Sequence, residues 1–301
     1  MRSEQRLAVL LSVMLLAACS GDYTPSGEAG AKACDTAPVT LDLRSLLQAA
    51  PLATAEEFPT SSELAAVPYT YLLHVPESLP PRPVPLLVAI HGLGGSGPQF
   101  SGQSQWMRHA DEEGFIVAFP TGPRKWDTTP GSHDVAFIRD VVAQLRGERC
   151  IDARRIWATG HSYGGYMTQR LACDAGDVFA AGASVSGGDI NSPGIGGSCD
   201  AGATARPEGY EPVPLGFWHG TDDSVVRYDW GRTSLANWIE RYQCGAPDED
   251  TAAPYGPVEV YASCGRADVR ARELASGTRV RLRFHTYTAH AHGYPDGCGG
   301  L

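Results

Sequence analysis

A serine between glycines, Gly160-His161-Ser162-Tyr163-Gly164, suggests attack by an activated hydroxyl on a carbonyl carbon. The pattern alone is weak, because 35 glycines in 301 residues yield about 0.3 chance matches to G-x-S-x-G. A serine hydroxyl is a poor nucleophile near neutral pH, so it needs a base, and the base needs an orienting carboxylate. Further along the chain come His219-Gly220-Thr221-Asp222-Asp223-Ser224 and then Ala289-His290-Ala291-His292-Gly293. The order serine, acid, histidine is the one expected when the nucleophile stands on a strand-to-helix elbow. Either Asp222 or Asp223 can be the acid, since a short carboxylate also serves as a cap. His290 and His292 both remain open as the base, because alternate residues of an extended segment point the same way. A base that swings between nucleophile and leaving group belongs past the strand end, where Gly293 gives the backbone room, and this favours His292. His285 shares a strand face with Arg281 and Arg283 and reads as structural; His74, His109, His133 and His161 read as surface or packing residues.

Carbonyl attack builds negative charge on oxygen, which requires fixed N–H donors. The amide of Tyr163, following the serine at a helix N-terminus, is one candidate. The second is the amide of Leu93, in the glycine-rich run His91-Gly92-Leu93-Gly94-Gly95 that ends a buried strand. A phosphate cradle is the competing reading of such a loop, but the spacing is neither G-x-G-x-x-G nor a P-loop with its lysine.

The elements that would position these residues alternate along the chain. Strand-like runs occur at 69–75 (YTYLLHV), 85–90 (PLLVAI), 114–119 (GFIVAF), 154–159 (RRIWAT), 180–185 (AAGASV), 214–219 (PLGFWH) and 280–288 (VRLRFHTYT). Helical runs occur at 104–113, 135–148, 166–175 and 234–242. Alternation of this kind predicts an α/β fold with a mostly parallel central sheet and helices on both faces. In such sheets ligands sit beyond the carboxyl ends of the strands, and every candidate above falls at such an end. At the elbow, Gly160 and Gly164 must lack side chains for the strand and helix to approach.

A net charge of −10, with no basic run, argues against nucleic acid as a partner. Hydrophobic residues at 43% and charged residues at 19% fit a packed globular domain. The start differs: Arg2 and Arg6 precede a short apolar run ending Leu16-Ala17-Ala18-Cys19, which is too short to span a bilayer and reads as an export signal. Its end resembles the bacterial lipoprotein box, which implies lipidation of Cys19 and a membrane anchor. Ser20 stands where retention in the inner membrane usually requires Asp, which favours the outer membrane. The expected organisation is a signal and lipobox over 1–19, a small polar linker over 20–37 and a catalytic domain over 38–301. Export places the other cysteines in an oxidising compartment. They are seven, Cys34, Cys150, Cys173, Cys199, Cys244, Cys264 and Cys298, so at most three bridges form within the chain. Cys244 and Cys264 flank an acidic, Pro/Gly-rich stretch that reads as an excursion held by a staple.

Taken together, the segments IHGLGGSGPQF, GFIVAFPTG, HDVAFIRDVV, CIDARRIWATGHSYGGYMTQRLAC, HGTDDSVVRY and HGYP resemble the α/β-hydrolase esterases related to polyhydroxybutyrate depolymerases and feruloyl esterases. The likeness runs from Tyr69 to Pro295. It implies Asp223 as the acid, His292 as the base and hydrolysis of a carboxylic ester, polymeric or bulky, through an acyl-enzyme, with no metal or organic cofactor. Tyr294 replaces the usual Trp of the last motif. The resemblance also implies an open site with a short or absent lid, the segment from Gly187 to Pro212 being a short insertion. Trp126, Trp218 and Trp230 are then candidates to flank the cleft, and core packing is the alternative for these rings. The competing functions are a serine peptidase or acyltransferase on the same machinery, and a catalytically silent surface-binding lipoprotein.

Overall fold

Alternation along buried strands decides the layers. In β3 (Val84–Ile90), Leu86, Val88 and Ile90 enter one hydrophobic core, while Leu87 and Ala89 enter another, because successive side chains of an extended chain point to opposite faces. A strand apolar on both faces must be covered on both. The computed structural model describes residues 47–49, 69–122, 124–199, 212–247, 249–253, 256–261, 264 and 282–294. The other strands are β1 (Leu47–Ala49), β2 (Thr70–His74), β4 (Ile116–Thr121), β5 (Ile151–His161), β6 (Ala181–Val185), β7 (Leu215–Gly220), β8 (Glu249–Ala253), β9 (Gly256–Tyr261) and β10 (Leu282–Tyr287). They form one sheet in the order β1-β2-β4-β3-β5-β6-β7-β10-β9-β8. From β4 to β10 in that order the neighbours are parallel, and the strands at both edges pair antiparallel.

Helices α1 (Gly97–Ser104) and α2 (Trp106–Glu113) bring Phe100, Trp106 and Ala110 to the face holding Leu87. On the other face α3 (His133–Glu148) supplies Val135, Ile138, Val142 and Leu145, and α4 (Tyr163–Asp174) supplies Met167 and Leu171. Helix α5 (Tyr228–Tyr242) contributes Leu235 and Trp238 to a core with Phe217 and Phe284. The chain steps outward from β3 to β4 and then returns past β3 to β5, so the carboxyl ends of β3 and β5 open a crevice where the winding reverses.

All the strands and helices expected from sequence occur, and three features were not foreseen, the first being the three-residue strand β1, paired antiparallel with β2 at one edge of the sheet. Helix α1 is short and mostly polar; Ser96 caps it by accepting from the Gln99 amide, and Pro98 sits in its first turn, where a missing N–H costs nothing. The stretch after Cys244 holds the antiparallel pair β8 and β9. Pro257 lies on β9 just before the ladder with β10 begins at Val258, so it is paired on the β8 side alone, where a proline is tolerated. Cys244 and Cys264 are bonded to each other at a Cα separation of 4.0 Å, Cys173 bonds Cys199, and Cys150 is also disulfide-bonded.

Trp218 on β7 turns to the face opposite Phe217, is 1% exposed and stacks on His285 at 4.7 Å, its partner in register on β10. Burial, followed by the nearby Arg283 charge, holds His285 down at about 3. The unfolded imidazole takes its proton near pH 6.5. As pH falls from there toward 3, the unfolded chain binds a proton that the folded chain refuses, so stability is lost on acidification. Wild type is expected to lose on the order of 2 kcal/mol more than His285→Phe between pH 7 and pH 5, read from urea unfolding at both pH values. Equal losses would remove His285 as the cause.

Candidate active site

The turn from β5 into α4 is tight. Ser162 has φ 55° and ψ −116°, a positive φ that costs a non-glycine residue energy and persists only where its surroundings impose it. Those surroundings are visible: the Ser162 amide donates to Val185 O at 2.9 Å, and Ser162 O accepts from the amides of Gly165 and Tyr166. A Cβ on Gly160 would lie 2.2 Å from Gly164 O, and one on Gly164 would lie 2.2 Å from Ile90 O. The two glycines therefore allow β3, β5 and α4 to meet at the serine.

Beyond β7 the two aspartates part ways. Asp222 accepts a hydrogen bond from the neighbouring Thr221 hydroxyl and is exposed. Asp223 is buried; its Oδ1 accepts from the amides of Val225 and Val226, both at 2.9 Å, and its Oδ2 lies 2.7 Å from His292 Nδ1. A carboxylate can only accept, so Nδ1 carries the proton and Nε2 is left with its lone pair. His290 meets this loop through its backbone instead: its carbonyl accepts from the Asp222 amide at 3.0 Å, and its ring leans on Tyr287.

Beyond β3, Gly94 donates to Arg124 O and Gly95 to Gly92 O. The amides of Leu93 and Tyr163 have no hydrogen-bond partner among the described residues. Trp126 braces this loop from inside, its Nε1 donating to His91 O at 2.9 Å and its ring 4.8 Å from that of His91. It is 0% exposed. The cleft-flanking role expected of Trp126 and Trp218 is therefore corrected: strand alternation sends Trp218 into the core, and the bond to His91 holds Trp126 beneath the loop. The exposed large hydrophobic side chains among the described residues are Leu93, Val225 and Trp230, all on loops or helix starts at the carboxyl end of the sheet.

The insertion after β6 is fastened down along its described part. Helix α4 holds it through Gln169 to Gly188 O, Arg170 to Gly197 O and the Cys173–Cys199 bond, and Thr128 Oγ1 donates to Ile195 O. The remainder of the expected lid segment, and Cys19 with its lipobox, lie outside the described residues.

Two histidines near the site were not singled out from sequence. The His161 ring lies 4.7 Å from that of His292; burial, and next the charge of His292, hold His161 down at about 4. His219 Nε2 lies 2.7 Å from Val226 O and 3.4 Å from Asp223 Oδ2. Burial lowers His219, and it also lowers His91. These three rings are neutral at neutral pH, so they add no fixed positive charge around the carboxylate. The available signal was placement: His161 and His219 sit at the ends of β5 and β7, beside the serine and four residues before Asp223.

Residues 124–188 match the prolyl oligopeptidase family. Feruloyl esterase B of Piromyces equi is 30% identical over 208 residues, covering 61% of this chain and 37% of that protein, so the chain spans well under half its length. A protein of Nocardia uniformis subsp. tsuyamanensis named "Putative esterase NocK" is 32% identical over 287 residues, covering 91% of this chain and 78% of its own length. Among solved structures, acetyl xylan esterase from Aspergillus awamori superposes with a TM-score of 0.60 at 21% identity, over 75% of this chain and 90% of that one; at this identity the likeness concerns the fold. With an elbow serine after β5, an acid after β7 and a histidine after β10, and with this kinship along nearly its whole length, the chain belongs to the α/β-hydrolase esterase family.

Proposed function

We propose that the protein is a serine carboxylic ester hydrolase working through an acyl-enzyme. The observation that carries this reading is the 2.7 Å bond between Asp223 and His292 Nδ1, which leaves Nε2 able to take a proton. Ser162 Oγ attacks the ester carbonyl carbon as His292 Nε2 removes its proton. The oxyanion is held by the amides of Leu93 and Tyr163, and collapse expels the alcohol, which takes the proton from His292. Water then attacks the acyl-enzyme by the same route and frees the acid and Ser162. Asp223 keeps the ring in the required tautomer and stabilises the imidazolium while it exists.

The substrate class we favour is a feruloyl, acetyl-polysaccharide or polyhydroxyalkanoate ester, from the motif resemblance and from the feruloyl esterase relative. The match of residues 124–188 to the prolyl oligopeptidase family favours a second reading, a serine peptidase. A panel of methyl ferulate, acetylated xylan, polyhydroxybutyrate and short peptides separates the two. Turnover of at least one of the first three is expected, and cleavage of peptides alone would overturn the ester assignment.

Lipid anchoring at Cys19 completes the proposal, supported by Leu16-Ala17-Ala18-Cys19. The mature protein should partition into detergent, and Cys19→Ser should release or misprocess it, because stable anchoring takes more than one acyl chain. A freely soluble, unlipidated mature form in the native host would contradict this.

A further inference from the structure

The Tyr294 hydroxyl lies 2.8 Å from Trp106 Nε1 and 3.2 Å from Thr159 Oγ1. An indole nitrogen only donates, so the phenol oxygen accepts from Trp106. Thr159 Oγ1 also lies 3.1 Å from Ala183 O, a carbonyl that only accepts, and the single threonine proton goes there. The phenol proton is then directed to Thr159. The result is a one-way chain from the Trp106 N–H through the Tyr294 and Thr159 hydroxyls to the Ala183 carbonyl. Trp106 and Thr159 are fully buried, where a donor without an acceptor is costly.

The ends of this chain matter for catalysis. Thr159 is on β5, three residues before Ser162, and Tyr294 follows His292 by two residues. On the other side of His292 the loop is held by the Ala289 amide donating to Thr221 Oγ1 at 2.9 Å and by the His290 carbonyl accepting from the Asp222 amide at 3.0 Å. Those bonds tie the histidine loop to the acid loop. Tyr294 supplies a tie to the nucleophile strand, and its ring packs edge-on against Phe100 at 5.3 Å.

We propose that Tyr294 is a positioning residue, a latch that fixes the loop bearing His292 against the strand bearing Ser162; the inference rests on the assignment of those two residues as base and nucleophile. A phenyl ring at this position would keep the packing and lose both hydrogen bonds. An indole would offer only a donor, and Trp106 needs an acceptor.

The test compares Tyr294→Phe with Ile138→Ala, which opens a cavity in the core on the opposite face of the sheet. Urea midpoints and kcat and KM on p-nitrophenyl acetate are measured well below the unfolding transition, with Ser162→Ala alongside. Tyr294→Phe should lose about tenfold or more in kcat with KM within about twofold, because misplacement of the base acts on the chemical step. Ile138→Ala should lower the midpoint at least as much and keep kcat within about twofold. A Tyr294→Phe enzyme with wild-type kcat, or a kcat that simply follows the midpoint across both variants, would overturn the latch. Wild-type turnover by Ser162→Ala is a separate outcome that would remove the nucleophile assignment on which the latch depends.

Discussion

Replacing Ser162 with alanine is expected to cut kcat on a short p-nitrophenyl ester by at least about 10³-fold while leaving the far-ultraviolet circular dichroism unchanged. The two halves of this expectation have different causes. On the proposed mechanism the rate falls because Ser162 carries the one aliphatic hydroxyl of Gly160–Gly164, so its loss closes the covalent route and leaves only oxyanion binding and substrate positioning. The fold survives because the structure at this residue is made by its backbone: the Ser162 amide is bonded to Val185 O, and Ser162 O to two amides of α4. An alanine can occupy the same φ of 55° under the same constraints. Retained turnover with an intact fold would move the chemistry away from the elbow.

His292→Ala should match the Ser162 variant in its loss, whereas His290→Ala should lose less than about tenfold in kcat/KM, or about 1.4 kcal/mol of transition-state stabilisation. Of these two histidines, His292 is the one bonded to a buried carboxylate, at 2.7 Å from Asp223. His290 contributes its carbonyl to the Asp222 amide, and alanine keeps that carbonyl. The imidazole of His290 touches Tyr287 edge-on, a contact with no route to the serine. The comparison is made with paired single variants on one substrate. The reverse ranking would transfer the proton-carrying role to His290 and leave the Asp223–His292 bond as a structural feature.

How far the sequence could be read depended on the kind of constraint. The central strands were legible because residues such as Leu86 to Ile90 are apolar on both faces, which only a doubly covered sheet accommodates. The elbow was legible because Gly160 and Gly164 answer to backbone contacts at fixed offsets from the serine. Residue chemistry alone does not choose between Asp222 and Asp223, or between His290 and His292, since both members of each pair have the right groups; the family resemblance implied Asp223 and His292, and the structure brings those two side chains within 2.7 Å of each other. Trp126 and Trp218 misled because a tryptophan near a site motif looks the same in one dimension whether it faces solvent or the core; the side of β7 that Trp218 occupies depends on what packs there. Edge elements were hidden for a related reason. Strands β8 and β9, with the sequences EDTAA and GPVEVY, carry no long apolar run to mark them.

The central claim is that Ser162 is the residue acylated in turnover. Its most direct test is reaction of the protein with a fluorophosphonate that mimics the tetrahedral intermediate, followed by intact mass measurement, peptide mapping and assay of residual ester hydrolysis. The account predicts one adduct per chain, on the peptide containing Ser162, with activity falling in step with labelling. An adduct on a different residue, or full ester hydrolysis by protein labelled completely at Ser162, would contradict it.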